Sequence, residues 1–238
     1  MELAEGDGMG LICGAASAGA LLLSPRQARI SYAVTVCDEV EEIRRLIDIL
    51  GGIDIRDEIV IQYDEPKTPP AMMDYLQALR GARNCGAIVP FALNDDFAAF
   101  KNNVKKFCRG DYIFQIDADE YPSAQMLSQI HAILSANAAA DVLMVPRINT
   151  VSGLTQAHLH KWGWQINAQG WVNFPDPQAR IYRNSDSIRW VNRVHETLAG
   201  YKILAQVPWV PELALMHPKT IARQERQNSF YERLAKLG

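Results

Sequence analysis

Residues 112–120 read YIFQIDADE, an apolar run that ends in three carboxylates. Such a run, rich in β-formers, reads as a buried strand. In an open parallel sheet, ligands bind beyond the carboxyl ends of the strands. Asp117 and Asp119 flank one residue, so in extended backbone they point the same way. Two hard oxygen donors at such a mouth suit Mg²⁺ or Mn²⁺, ions that share sites with phosphate oxygens. The plain alternative is a solvated acidic turn after a strand.

The elements that must position this pair follow from periodicity. Residues 31–37 read as a buried strand, and Asp38 with Glu41 forms a capping-box pattern. Val40, Ile43, Leu46, Ile47 and Leu50 recur at helical spacing, and Gly51 ends that helix. A second strand is predicted over 59–63 and a second helix over about 70–80, with Leu76 and Leu79 inward and Gly81 as stop. Residues 87–92 predict a third strand, with Pro90 demanding an edge or a bulge. Asn94 is a candidate cap for a third helix, with Phe97, Phe100, Val104 and Phe107 as one stripe and Gly110 as stop. The strand 112–116, a helix over 123–136 and a strand over 141–146 complete the series. Strands alternating with helices predict an α/β domain with a mostly parallel sheet. After residue 147 the rhythm breaks into short strands at 179–183, 188–194 and 202–208, and the last 20 residues return to a helical pattern.

The chain has 238 residues, 48% hydrophobic and 21% charged, with a net charge of −3. That balance excludes a strongly basic nucleic-acid binder and an acidic disordered tail. The net value hides a split: residues 25–120 hold 12 bases against 17 acids, and residues 121–238 hold 12 bases against 7 acids. Cys13, Cys37, Cys85 and Cys108 show no CxxC spacing and read as reduced cytosolic thiols. The apolar run 11–23 is too short to span a bilayer, and its acidic flank is unlike a signal peptide. Residues 1–24 therefore read as a poorly ordered or loosely docked extension, and 25–238 as one domain. A membrane-touching or export segment is the alternative for the leader.

The ordered segments SYAVTVCDEVEEIRRLIDIL, DEIVIQYDE, DDFAAFKNNVKKFCRGDYIFQIDADE, PDPQARIYRN, IRWVNRVHETLAGY and LALMHPKTIARQERQNSFYERL carry a resemblance over residues 30–237. The chain resembles the family 2 glycosyltransferases of the GT-A (nucleotide-diphospho-sugar transferase) fold, in particular the bacterial enzymes of lipopolysaccharide core and other cell-surface glycans. The resemblance implies an inverting, metal-dependent, hexosyltransferase-type enzyme using Mn²⁺ or Mg²⁺. Its donor would be a nucleotide-diphospho-sugar, UDP-sugar first, and its acceptor a hydroxyl of a glycan or glycolipid. It would work in the cytoplasm or at the inner face of the membrane, without nucleic acid.

The resemblance also implies roles for residues. Thr35, Cys37, Asp38 and Glu39 stand where the nucleotide base is contacted, with helix capping as a rival task for Asp38. Asp64 matches the acid that contacts uracil or ribose, although the family's Asp-x-x-Ser-x-Asp run is replaced by Tyr63-Asp64-Glu65-Pro66-Lys67. Lys101-Asn102 stands where the family has Arg-Asn, and its cation can face the diphosphate or be a solvated helix lysine. Asp117 and Asp119 match the metal-binding DxD motif, with Asp117 nearer the ribose. His217 is implied as third ligand, with a core histidine as alternative.

Glu196 matches the acceptor-site motif and is the first candidate base; a part-desolvated carboxylate suits that task, and a surface glutamate is the alternative. Asp176, between two prolines, is the second candidate or a turn residue, and His195 the third. Gln178, Arg180 and Arg183 are implied beside the donor, or else form structural ion pairs. Trp162, Trp164, Trp171 and Trp190 suggest an acceptor wall or ordinary core. His158-x-His160 lacks supporting ligands for a metal. Arg223 and Arg226 share a helix face, and one of them would close the donor site over the phosphates. Two other readings remain at this point: a non-catalytic nucleotide-sugar-binding relative of the same fold, and a phosphatase of the haloacid dehalogenase type with Asp117 as nucleophile.

Overall fold

The structure, a computed structural model, describes residues 27–235. The expectations for the 1–24 extension, its membrane contact and Cys13 lie outside the described residues. The first half follows the predicted rhythm: β1 (Ile30–Val36), α1 (Val40–Leu50), β2 (Glu58–Asp64), α2 (Pro70–Leu79), β3 (Cys85–Phe91), α3 (Phe97–Lys105) and β4 (Tyr112–Asp117). Then come β5 (Tyr121–Pro122), α4 (Ala124–Ala136), β6 (Val142–Val145), β7 (Arg147–Ser152), α5 (Gln156–Trp162), β8 (Gln178–Arg183), β9 (Arg189–Val191), β10 (Thr197–Ala199), β11 (Leu204–Gln206), β12 (Leu215–Thr220) and α6 (Ile221–Ala235).

Seven strands form the central sheet in the order β11-β6-β8-β4-β1-β2-β3. β1 to β4 are mutually parallel where they pair, and β8 runs antiparallel between β4 and β6. This is the mostly parallel α/β sheet of the GT-A fold that the sequence predicts. Pro90 sits in β3, an edge strand, where its missing N–H costs no ladder bond. The pleat divides the core. Ile30, Tyr32, Val34 and Val36 of β1 pack with Ile43, Leu46, Met72, Leu76, Met126 and Ile130 of α1, α2 and α4. Ala33 packs on the other side with Ala98 and Val104 of α3 and with Trp190 and Leu198 of the β9–β10 hairpin.

The chain goes outward from β1 to β2 and β3, then returns to β4 on the other side of β1. The two strand ends at that reversal are Thr35 and Asp117, which are direct register partners. A second, three-stranded sheet, β5-β12-β7, stands beyond this end. The sequence pattern missed β7 and β12, because short strands in a small sheet carry no periodic signature.

Local expectations changed in three places. α1 is preceded by Glu39, and the Asp38–Glu41 capping box does not form. The Glu39 carboxylate instead turns back to accept from the Cys37 and Asp38 N–H groups. α3 is capped by Asp96, which accepts from the Ala99 N–H at 2.8 Å, while Asn94 and Asp95 adopt left-handed φ in the turn before it. Phe107 lies past the end of α3, largely exposed. Gly110 has a different task from stopping a helix. A Cβ there would stand 2.5 Å from the Ser31 backbone nitrogen and 2.8 Å from the Ile30 carbonyl carbon.

Backbone on both sides cannot yield as a side chain would, so Gly110→Ala must push β1 and the entry to β4 apart. The expected cost is about 1–3 kcal/mol. Thermal unfolding should fall by about 2–4 °C per kcal/mol. An unchanged melting temperature in Gly110→Ala would show that this approach is loose.

Candidate functional site

Two cavities open at the β1–β4 strand ends. The first, about 600 Å³, is lined by Thr35, Cys37, Asp38, Glu39, Asp64, Lys101, Asp117, Asp119, Arg223 and Arg226. All ten are residues singled out above for the nucleotide, the phosphates or the metal, with Arg223 and Arg226 named as a pair of which one would close the donor site. The second, about 530 Å³, is lined by Arg147, Asn149, Trp164, Asp176, Gln178, Arg180, Trp190, His195, His217 and Lys219, among others. Asp117, Lys101's partner Glu196, and Gln227 belong to both. Trp162 and Trp171 stand outside both linings: Trp162 stacks on His158 and meets Trp164, and Trp171 packs on Phe174. Arg183 is also excluded. β8 runs antiparallel, so Arg183 pairs with the start of β4 and bonds the Ala138 and Ala140 carbonyls at the far end of the sheet.

Asp117 is held on several sides. Thr35 Oγ1 donates to it at 3.1 Å, Arg180 Nη2 at 2.9 Å, and Lys101 Nζ stands 3.2 Å away. Burial alone would raise its pKa, but Arg180 and Lys101 outweigh burial and hold the carboxyl well below the usual range. Arg180 is 5% exposed and also reaches Glu120 at 2.6 Å. Glu120, itself 1% exposed, accepts a further bond from Arg147 at 2.8 Å. Arg147 continues to Asp176 at 2.7 Å, and Asp176 accepts from Asn149 and Gln178 as well. Burial opposes the Asp176 charge, yet Arg147 and Asn149 keep its pKa lowered. A carboxylate so engaged is a counter-ion for Arg147, a poor station for a general base.

Asp119, in the turn after β4, and His217, in β12, converge. His217 lies in β12, opposite Asn149 of β7 in the register. Asn149 Nδ2 donates to Asp176 at 2.6 Å, which leaves its Oδ1 toward His217 Nδ1 at 2.7 Å. An amide oxygen only accepts, so this network assigns the His217 proton to Nδ1. Burial lowers the His217 pKa and favours the neutral ring. Nε2 then presents a lone pair toward Asp119 Oδ2, 3.3 Å away. Two acceptors facing each other make a donor set for a cation, with the second-layer bond that fixes a ligating histidine. Asp119 and His217 could therefore hold Mg²⁺ or Mn²⁺, with water and diphosphate oxygens completing the shell. Among the described residues, no three His, Cys, Asp or Glu side chains form a ready metal cage. Lys219 at 3.9 Å and Arg223 at 3.5 Å approach the same Asp119 oxygen. Burial would raise the Asp119 pKa, and the cations Lys219 and Arg223 act to lower it.

Arg223 also bonds Glu39 at 2.9 Å and Glu42 at 2.7 Å, so it ties α6 to the start of α1. Arg226 lies on the same cavity wall and is exposed. Asp64 is buried and accepts from the Leu93 N–H at 3.0 Å. The Cys37 thiol is pushed up to about 12 by burial and by the acids around it, so it stays protonated. Arg147, Asn149 and Lys219 were missed by sequence reasoning. Arg147 carried one usable signal: a lone cation directly after the apolar run 142–146.

Glu196 stands just before β10, 2.7 Å from Lys101 Nζ. Its side chain is 17% exposed, at the wall the two cavities share.

No protein-family profile matches the sequence, and no curated protein matches it. The fold matches solved structures of Staphylococcus aureus TarS, a glycosyltransferase. For TarS residues 1–349 the TM-score is 0.57 at 14% identity, with 80% of this chain and 60% of that chain covered. The same fragment in complex with UDP-GlcNAc gives 0.58 at 14% identity, covering 80% and 58%. In complex with UDP it gives 0.57 at 13%, covering 80% and 60%. The chain spans about three fifths of the TarS fragment it matches. At this identity the likeness is one of fold, and the chain shares the α/β architecture of these glycosyltransferases.

Proposed function

We propose that this protein is a glycosyltransferase that moves a sugar from a nucleotide-diphospho-sugar to a hydroxyl of a glycan or glycolipid, with inversion. The carrying observation is the position of Glu196, a carboxylate on the wall between a cavity bearing the DxD acids and a second, aromatic and amide-lined cavity. In this reading the first cavity takes the donor. A UDP-sugar is the first choice, since TarS of the same fold has been crystallised with UDP-GlcNAc and UDP. Thr35, Asp38, Glu39 and Asp64 face the nucleoside, and Arg226 is free to meet phosphate oxygens. The second cavity takes the acceptor. Trp164 offers a ring face for a sugar, and Asn149, Gln178, Gln224 and Gln227 offer amides for its hydroxyls.

Glu196 removes the proton of the acceptor hydroxyl as that oxygen attacks the anomeric carbon. The bond from that carbon to the diphosphate oxygen breaks, and the nucleoside diphosphate leaves. One displacement at one carbon inverts its configuration. A divalent cation on Asp119 and His217 would neutralise the charge that develops on the leaving diphosphate. Asp117 is the neighbour of the metal site in this reading, because Thr35, Lys101 and Arg180 already hold its oxygens. The same bonds disfavour Asp117 as a phosphatase nucleophile. Asp176 has the task of holding Arg147 and Asn149, so the base assignment falls on Glu196.

Three outcomes are expected. In a panel of UDP-, GDP- and dTDP-sugars with Mn²⁺, one donor should stabilise the folded protein, by about 2.7 kcal/mol at a hundredfold excess over Kd. Asp119→Ala should remove Mn²⁺-stimulated nucleotide release; equal turnover with Mn²⁺ and with chelator in the wild type would sink the metal assignment. Glu196→Gln should keep donor binding and lower transfer by about 10²–10⁴-fold. Donor binding without turnover in the wild type would favour a non-catalytic binding protein instead.

A further inference from the structure

We infer that Lys101 is a positioning residue for the Glu196 carboxylate, holding it at the wall between the two cavities; this rests on the assignment of Glu196 as base. Lys101 lies in α3 and is 3% exposed. Its ammonium stands 2.7 Å from Glu196 Oε1 and 3.2 Å from Asp117 Oδ1. On a further side it lies 4.8 Å from the centre of the Trp190 ring. A lysine ammonium has three N–H bonds. Two carboxylates and an indole face surround it, and each attracts a cation. A diphosphate could reach this ammonium only by displacing one of them.

The rest of α3 serves the same end. Glu196 sits at the end of the loop that joins β9 to β10, and Asn192 and His195 of that loop adopt left-handed φ. Contacts at three points pin this hairpin to α3. The Phe97 N–H donates to the Arg193 carbonyl at 2.9 Å. Asn102 exchanges two bonds with the Trp190 backbone, donating to its carbonyl at 2.8 Å and accepting from its N–H at 2.9 Å. The third is the Lys101–Glu196 pair. Asn102 thus sets the height of the hairpin along α3, and its neighbour Lys101 sets the direction of the carboxylate. Because the same ammonium touches Asp117, the base is held at a fixed separation from the donor-side acid. A shift of the reacting oxygen by an ångström is enough to slow a displacement strongly, so this spacing bears on turnover more than on donor affinity.

The test uses the full chain and the donor from the panel that binds best, with release of nucleoside diphosphate as readout. Lys101→Met should lower kcat about tenfold or more and leave donor Kd within about threefold, since base positioning is felt in the transition state. Lys101→Arg, which keeps the charge, should recover most of the lost rate. The decisive comparison is a double-variant cycle. In a Glu196→Gln background, Lys101→Met should cause no further loss of kcat, because a residue acting through Glu196 has nothing left to position. A further loss in that background, or a donor Kd weakened in step with kcat, would overturn the inference and return Lys101 to the phosphates. If Lys101→Met does not fold, the same cycle is run with Lys101→Gln, which also removes the charge: a kcat loss in the Glu196→Gln background as large as in the wild type overturns the inference. A wild type that turns over no donor overturns the base assignment, and the inference with it; a wild type that turns over while Lys101→Met keeps full kcat overturns the inference alone.

Discussion

Everything at the open end of the sheet depends on one buried cation, Arg180. β1 and β4 part where the chain reverses direction, and their pairing leaves Asp117 at the strand end with Glu120 just beyond it. Two carboxylates this close, Glu120 buried and Asp117 partly so, would repel each other and draw protons. Arg180 reaches both through one nitrogen, at 2.9 and 2.6 Å. Burial works against its charge, and Asp117 and Glu120 more than offset that, so its pKa is raised. A cluster like this contributes little net stability, because desolvating each ion costs about as much as pairing returns. Its effect is on shape. Removing one member leaves the others buried and uncompensated, at about 3–5 kcal/mol, so the members are fixed relative to one another.

The charge split in the sequence acquires a structural use here. The acids Asp117, Asp119 and Glu120 close the acidic half, and their cationic partners Arg147, Arg180, Lys219 and Arg223 come from the basic half. These pairs join the acidic half of the chain to its basic half at this site. Lys101 is the exception, a cation of the acidic half placed among acids, and its burial among them marks it apart from the solvated lysines.

The central sheet was legible because each βα unit announces itself twice, by an apolar strand and by a helix of matching length. The DxD pair was legible for the same reason, as two acids one residue apart at the end of a strand-forming run. Other features were hidden by the way local polar groups choose partners. Asp38 looked like a cap, but α1 begins after Glu39, whose carboxylate turns back to the Cys37 and Asp38 N–H groups and caps no helix N–H. Asn94 looked like a cap, but the cap is Asp96, two residues on. The acceptor-side lining depends on β7 and β12, a parallel pair brought together over a long stretch of sequence. No window of neighbouring residues contains that pairing, so Asn149 could not be tied to His217 in advance.

That pairing also explains why Asp176, an acid in the right cavity, is better understood as part of the support than as the base. Arg147 and Asn149 both donate to it. Its hold on the Asn149 amide group turns the amide oxygen toward His217, and the oxygen in turn fixes the histidine proton on Nδ1. Only in that tautomer does neutral His217 offer a lone pair beside Asp119. The order of dependence runs from Arg147 to Asp176, Asn149 and His217, each step a hydrogen bond that leaves the next group one orientation, and it ends at Asp119, which faces the His217 lone pair. A base must instead be able to take a proton and give it up without disturbing its surroundings. Glu196 is tied by one ammonium and stands partly exposed between the cavities, and it meets that requirement where Asp176 does not.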